Sequence, residues 1–506
     1  MSTATNRPGA AGNWLNTTDH KRIAIQFLWW TCGAFLLGAI YAIILRMRVT
    51  SGLVEPELYR QMLTQHGVLM VFLFLVPAIP TVLGNYVLPL QLGAPELRLP
   101  WLTRLSLRLQ IAGTILLILS IMFGAVGSGW TFVTPASLQA SGAFGLLTLA
   151  LVCVAGGWLA TGLNFIVTVH HGRRPGLGFF QMPILSWSLY LTAYALVVAG
   201  TLFAVLVIYL AAARGAARGP FGADADPLLW QNYFWFATRP LAFFALLPAV
   251  GVITDVIAGM SRRPVVGYRT VVGSLIALLG LGFCTWGVHL IGKGQSPAAS
   301  FVFAALSLFT AVPVALLSFS WLSMLYRGSV ACATPTTFAI GFLLNAGIAV
   351  MSGLMLCTLS ASSYLANTVF VTGHLHYVMM GGVLTALLAG LHYWWPKMFG
   401  RMYSPLLGRL SGYAYIVGLN LAFLPQLIAG ARGLPQGLAK LPAGLEGLDT
   451  IATVGMWILT TGLVMVISNL FGSLHDGPEA GENPWGAATG EWNGAKGPAA
   501  ESPYGG

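Results

Sequence analysis

The chain has 506 residues, of which 57% are hydrophobic and only 8% charged, with a mean hydropathy of +0.78 and a formal net charge of +11. That composition excludes a soluble globular domain, because apolar stretches long enough to cross a bilayer recur along the whole length. The basic excess does not call for nucleic acid, because its placement along the chain follows membrane topology.

The first 22 residues are polar, carry Asp19, His20, Lys21 and Arg22, and show no cleavable signal pattern. Twelve apolar spans follow, at roughly 23–45, 65–89, 109–127, 143–169, 183–212, 229–259, 271–291, 299–325, 336–358, 368–394, 408–430 and 450–471. With the N-terminus cytoplasmic, the inner loops hold Arg98, Arg104 and Arg108, then Arg173 and Arg174, Arg262, Arg263 and Arg269, Arg327, and Lys397, Arg401 and Arg409. The outer loops hold fewer: Arg214 and Arg218 beside Asp224 and Asp226, then Lys293, Arg432 and Lys440. This asymmetry is the positive-inside rule. The expectation is an all-α polytopic membrane protein in a bacterial inner membrane, with twelve transmembrane helices and both termini cytoplasmic. It divides into an N-terminal segment (1–22), a membrane domain (23–471) and a Gly/Pro-rich tail (472–506) expected to be poorly ordered. The five cysteines are scattered, without CxxC or CxxCH spacing, and read as packing residues.

Nine histidines are present. His20 and His475 lie in polar terminal segments, and His170 and His171 in a basic inner loop, so all four read as solvated. His392, in "LHYWWPKMF", reads as part of an aromatic interface belt. His66, His289, His374 and His376 remain, and topology places all four in the outer half of the membrane. A lone membrane histidine is most simply a structural hydrogen bond, but four at similar depth argue for cofactors. Residues two apart differ by about 200° around an α-helix, so His374 and His376 face nearly opposite sides and address two sites. A heme between helices takes an axial imidazole, and a second from the facing helix when six-coordinate, so His66 is the natural trans partner for one of the pair.

The chain resembles subunit I of the heme-copper terminal oxidases, in the cytochrome c oxidase branch. The resemblance runs through "TTDHKRI" (17–23), "HGVLMVFLFLVPAIPTVLGNYVLPLQLGAPEL" (66–97), "GSGWTF" (127–132), "DPLLWQNYFWF" (226–236), "GHLHYVMMGG" (373–382) and "NPWGAATGEW" (483–492). It implies a low-spin heme on His66 and His376, with Arg46 beside a ring substituent and Trp130 near the propionates. His374 would hold a second, high-spin heme facing a three-histidine copper. Here the chain departs from the family pattern. Val288 replaces one histidine of the "WxHH" pair, of which His289 remains, and Arg239 replaces the third copper ligand. Phe243 stands where the cross-linking tyrosine is expected. A guanidinium stays protonated and offers a metal no lone pair.

The departures extend to the proton paths. Leu241 and Leu317 stand at the gating glutamate and the channel lysine, and Arg104 at a channel-mouth asparagine, while Glu96 keeps an acid. Ala366 and Asn367 replace outer metal ligands, and Gln436 and Gly437 replace paired arginines, with Arg432 a weak substitute. The losses form one functional set and the retained residues another. The expectation is therefore a heme-binding electron-transfer subunit of a respiratory or redox complex, exchanging electrons with a cytochrome c-type or quinone partner, with copper disfavoured. The alternative is an oxygen-reducing terminal oxidase or nitric oxide reductase in which Arg239 and His289 donate hydrogen bonds to a bound ligand. On either reading Arg239, about ten residues into its helix, calls for a propionate or carboxylate partner.

Overall fold

The computed structural model describes residues 14, 16–51, 55–214, 226–436 and 444–493, with the side chains of 48–51 and 493 excepted. Arg218, Asp224, Gly437, Lys440 and the tail beyond 493 lie outside the described residues. Among the described residues, eleven helices are long and apolar enough to cross a membrane. They are α1 (His20–Met47), α2 (Pro56–Leu92), α3 (Pro100–Met122), α4 (Phe144–His171), α5 (Ile184–Ala213), α6 (Pro227–Ser261), α8 (Pro297–Tyr326), α9 (Thr334–Cys357), α10 (Val369–Phe399), α11 (Pro405–Ala431) and α12 (Glu446–Asp476). The twelfth expected span is a shorter apolar helix, α7 (Tyr268–Cys284), followed by a 3-10 turn at Trp286–Leu290 that carries His289. Hydrocarbon offers backbone groups no partner, so a spanning segment must satisfy them internally, and the helix does so.

Helix starts are written locally. Asp226, Ser296, Thr368 and Ser404 accept backbone N–H groups at the N-termini of α6, α8, α10 and α11. Pro227, Pro297 and Pro405 occupy the first turns of α6, α8 and α11, where their missing N–H costs nothing. Neighbours in sequence pack side by side, α3 on α4, α4 on α5, α5 on α6 and α11 on α12. Small residues allow close crossings: a Cβ on Gly455 of α12 would lie 2.3 Å from the Ala422 nitrogen of α11. The outward faces are apolar too, with Ile40, Ile118, Val205, Phe319, Leu322 and Val464 exposed, as a lipid-facing surface requires.

Two helices depart from α geometry where function is expected. α2 widens to π-helix at Leu69–Leu75, just past His66, and again at Ile79–Gly84. α10 widens at Tyr377–Leu384, directly after His376. Such π segments are frequent at functional sites.

The tail corrects one expectation. Residues 477–493 fold back onto the ends of α10 and α11: Met402 N donates to Pro478 O at 2.9 Å, Ala480 N to Gly400 O at 3.0 Å, and the Trp485 indole to Tyr393 O at 2.8 Å. Trp492 is buried beneath Lys397. Indole packing outweighs the high Gly/Pro content of this stretch.

Candidate cofactor site

His66 and His376 face each other across the interior with ring centroids 6.4 Å apart and planes only 13° from parallel. That separation leaves room between the two imidazoles for a heme iron, which His66 and His376 would hold. The other ring nitrogens are already used. His66 Nδ1 lies 2.9 Å from Gly38 O and His376 Nδ1 lies 2.8 Å from Thr372 O. A carbonyl can only accept, so each Nδ1 carries the proton and each Nε2 keeps its lone pair. Such carbonyl partners fix tautomer and ring orientation in metal-ligating histidines. Phe423 of α11 stacks on one face of the His376 ring at 4.2 Å.

On the other side of α10, His374 Nδ1 lies 3.0 Å from Ser352 Oγ. That hydroxyl also lies 2.7 Å from Ile348 O, to which its single hydrogen goes, so it accepts from His374. A Cβ on Gly353 would lie 3.1 Å from His374 Cε1, so α9 approaches closely here. Arg239, His289 and Val288 line the cavity that His374 faces. Arg239 Nη1 lies 3.1 Å from His289 Nε2, and Arg239 Nε lies 3.5 Å from Thr285 Oγ1. The guanidinium stands 5.0 Å from the Phe243 ring centre, and His289 stacks on Trp235 at 3.7 Å. The carboxylate expected beside Arg239 is absent among the described residues, where no Asp or Glu oxygen pairs with it within 4.0 Å. Leu241 and Leu317 are buried apolar residues of the core.

Both sites open into one cavity of about 1480 Å³. Its wall is mainly apolar and includes Met70, Met351, Met379 and Met380. A pocket for one small ligand holds roughly 300–1,000 Å³, so this one is large for a single group.

Comparison with known proteins agrees with this architecture. The family model described as "Cytochrome C and Quinol oxidase polypeptide I" matches residues 22–471. Cytochrome c oxidase subunit 1 of Synechocystis sp. is 33% identical over 491 residues, covering 96% of this chain and 89% of the relative. The chain belongs to the cytochrome c and quinol oxidase polypeptide I family. A Bacillus sp. cytochrome c oxidase subunit 1 is 32% identical, over 97% of this chain and 82% of the relative. A putative cytochrome c oxidase subunit 1-beta of Streptomyces coelicolor is also 32% identical, over 94% and 84%. A solved heme-copper terminal oxidase dimer matches with TM-score 0.80 and 17% identity, covering 91% of this chain and 84% of that one, which establishes the shared fold. The chain is accordingly a bacterial membrane protein of a heme-binding oxidoreductase family.

Within this oxidase-family fold, the remaining expected residues fall as follows. Trp130 lines the cavity, packed on Gly67, where a Cβ would lie 2.6 Å from the Trp130 Cβ. Arg46 also lines it, with its guanidinium bonded to the Asp449 carboxylate and 3.1 Å from Thr453 Oγ1 on α12. Sequence reasoning overlooked Asp449, because nothing local ties it to a residue some four hundred positions away. Gln436 Nε2 donates to Thr368 O at 3.0 Å, and Arg104 Nε to Thr17 O at 3.2 Å.

Two histidines were misplaced by the sequence. His20 is 3% exposed, with Nδ1 3.1 Å from Glu96 Oε2, rather than solvated. His392 is fully buried, stacked on Phe338 and donating to Leu388 O at 2.7 Å, rather than interfacial. His170 and His475 are exposed as expected. A further cluster went unread: Gln91 Nε2 lies 2.9 Å from Asp255 Oδ2 and 3.4 Å from Glu491 Oε1, joining two buried carboxylates. The signal was there, since an acid within an apolar helix marks a built site by default.

Proposed function

We propose that this chain is a membrane electron-transfer subunit holding a low-spin heme between His66 and His376, without a copper centre and without oxygen reduction at the Arg239 side. The observation that carries this reading is the near-parallel imidazole pair at 6.4 Å with both Nδ1 atoms tied to carbonyls. A heme held there would supply one-electron transfer. The chain's own contribution is orientation and electrostatics. Gly38 and Thr372 lock the tautomers, Phe423 fixes one ring, and the Arg46–Asp449 pair sets charge at the cavity wall. On the other side, the donor set speaks against copper. Arg239 holds a proton on every nitrogen and occupies His289 Nε2, the nitrogen otherwise free for a metal. Among the described residues, Asp19, His20 and Glu96 are the one group of three metal-ligating side chains with ligand atoms within 4.8 Å, and they lie elsewhere.

We place the chain in a multi-subunit redox complex of the bacterial inner membrane, both termini cytoplasmic, exchanging electrons with a cytochrome c-type or quinone partner. Heme and metal analysis of the purified complex, with a reduced-minus-carbon-monoxide spectrum, tests the reading. The expected result is one heme per chain, no copper and no carbon monoxide shift. Stoichiometric copper, or oxygen turnover by the isolated complex, would overturn it. A second reading, a catalytic oxidase or nitric oxide reductase with an atypical distal pocket, draws support from His374. Its Nδ1 is anchored to Ser352, and it borders the same cavity as Arg239 and His289. Two hemes per chain and a carbon monoxide shift without copper would favour that reading.

A further inference from the structure

Arg239 is the feature that the electron-transfer reading leaves unused. It sits about a dozen residues into a membrane helix, and no carboxylate faces it among the described residues: its partners are His289, Thr285, the face of Phe243 and the nearby Cys357 thiol. A guanidinium in this medium keeps its charge, so its folded position demands a counter-charge. Nη1 and Nε are engaged, while Nη2 has no hydrogen-bond partner among the described residues and the side chain borders the large cavity. The neighbouring groups favour one sign of ligand. His289 accepts from Arg239 at Nε2, so it is neutral and carries its proton at Nδ1. Lys293, exposed three residues beyond the turn that bears His289, lines the same cavity and adds a second positive charge there. Among the described residues, Asp449, which is bonded to Arg46, is the one acid lining the cavity.

We propose that Arg239, with His289 beside it and Lys293 lining the same cavity, forms a binding site for a carboxylate or a small carboxylate-like oxyanion. The planar fork of a guanidinium matches that ligand with two parallel hydrogen bonds, and the apolar wall strengthens both. The ligand has two sources with the same chemistry: a free anion such as formate or nitrite, or the propionate of a heme in the same cavity. The free-anion source requires only the arginine and the cavity and stands or falls separately from the His66–His376 heme, whereas the propionate source rests on a heme being bound.

The test uses the purified complex in chloride-free buffer, with sodium formate and sodium nitrite as probes. Binding is read by calorimetry and by thermal stabilisation, and heme content is measured on the same samples. Free-anion binding predicts saturable stabilisation of the wild type. Arg239→Met should weaken it on the order of 100-fold, the loss of two charge-assisted hydrogen bonds. Arg239→Lys, which keeps the charge without the fork, should fall between the two and guards against a merely misfolded variant. Lys293→Ala, which removes only the second charge, should weaken binding far less than Arg239→Met. Propionate binding predicts that the wild type ignores both probes, while Arg239→Met shifts the redox potential or spectrum of the bound heme. A wild type indifferent to both anions, together with an Arg239→Met variant whose melting temperature, heme spectrum and potential are unchanged, overturns the proposal.

Discussion

The two sides of α10 make an instructive pair. On one, His376 meets an imidazole across the cavity, and each ring's spare nitrogen is tied to a carbonyl. On the other, His374 is anchored to Ser352, but the facing residues are a guanidinium, a neutral imidazole already occupied by it, and Phe243. The same helix, two residues apart, thus presents one side suited to a metal and one suited to an anion. What differs is not burial or depth but the lone pairs left over once hydrogen bonds are assigned. A donor type cannot be exchanged for another of similar size without changing what the site holds.

The largest expected effect breaks the comparison at its strong side. His66→Ala or His376→Ala should each abolish the low-spin spectrum outright, checked by reduced-minus-oxidised spectroscopy of purified protein; a full-strength spectrum in either variant would contradict the pairing. Next comes the charge supporting that side. Asp449→Asn leaves Arg46 with a half-buried cation and a weakened partner, which should cost about 3 kcal/mol by thermal or denaturant unfolding in detergent and shift the heme bands. Unchanged stability and bands would show that the Arg46–Asp449 pair does nothing at the site. On the weaker side, Ser352→Ala removes the acceptor for His374 Nδ1 and should cost about 1 kcal/mol while leaving the low-spin bands in place.

The smallest effect lies away from both sides. Glu491 is buried under the folded-back tail, and burial raises its carboxyl above the usual carboxylate range. A raised carboxyl means that the docked tail favours its protonated form, so docking is strongest at acid pH. It weakens as pH rises from about 4, the ordinary glutamate value, through the raised one. Limited proteolysis of the tail should therefore quicken across that range, and Glu491→Gln should flatten the profile. Neither change should touch the heme spectrum, and any change there would show the tail to be coupled to the site.

Much of this architecture is legible in the chain itself. Apolar length gave the spans, the distribution of Arg and Lys suggested a topology, and the 200° step between His374 and His376 separated the two sites. The structure places His376 against His66 and His374 against Ser352, as that rotation demands. Other features were hidden for physical reasons. In an apolar chain, a polar residue at a helix end reads the same whether it faces lipid headgroups or the interior, which is why His20 and His392 were misassigned. The π segments after His66 and His376 arise from packing rather than composition. Partners remote in sequence, such as Asp449 for Arg46 and Glu491 beside Asp255, appear only once the helices are assembled.

Electron paramagnetic resonance of the oxidised, purified complex tests the central claim most directly, read on wild type, His66→Ala, His376→Ala and His374→Ala together. The account predicts a low-spin bis-imidazole ferric signal in the wild type, absent from the first two variants and undiminished in His374→Ala. A signal that survives loss of His66 or His376, or disappears with His374, would contradict it.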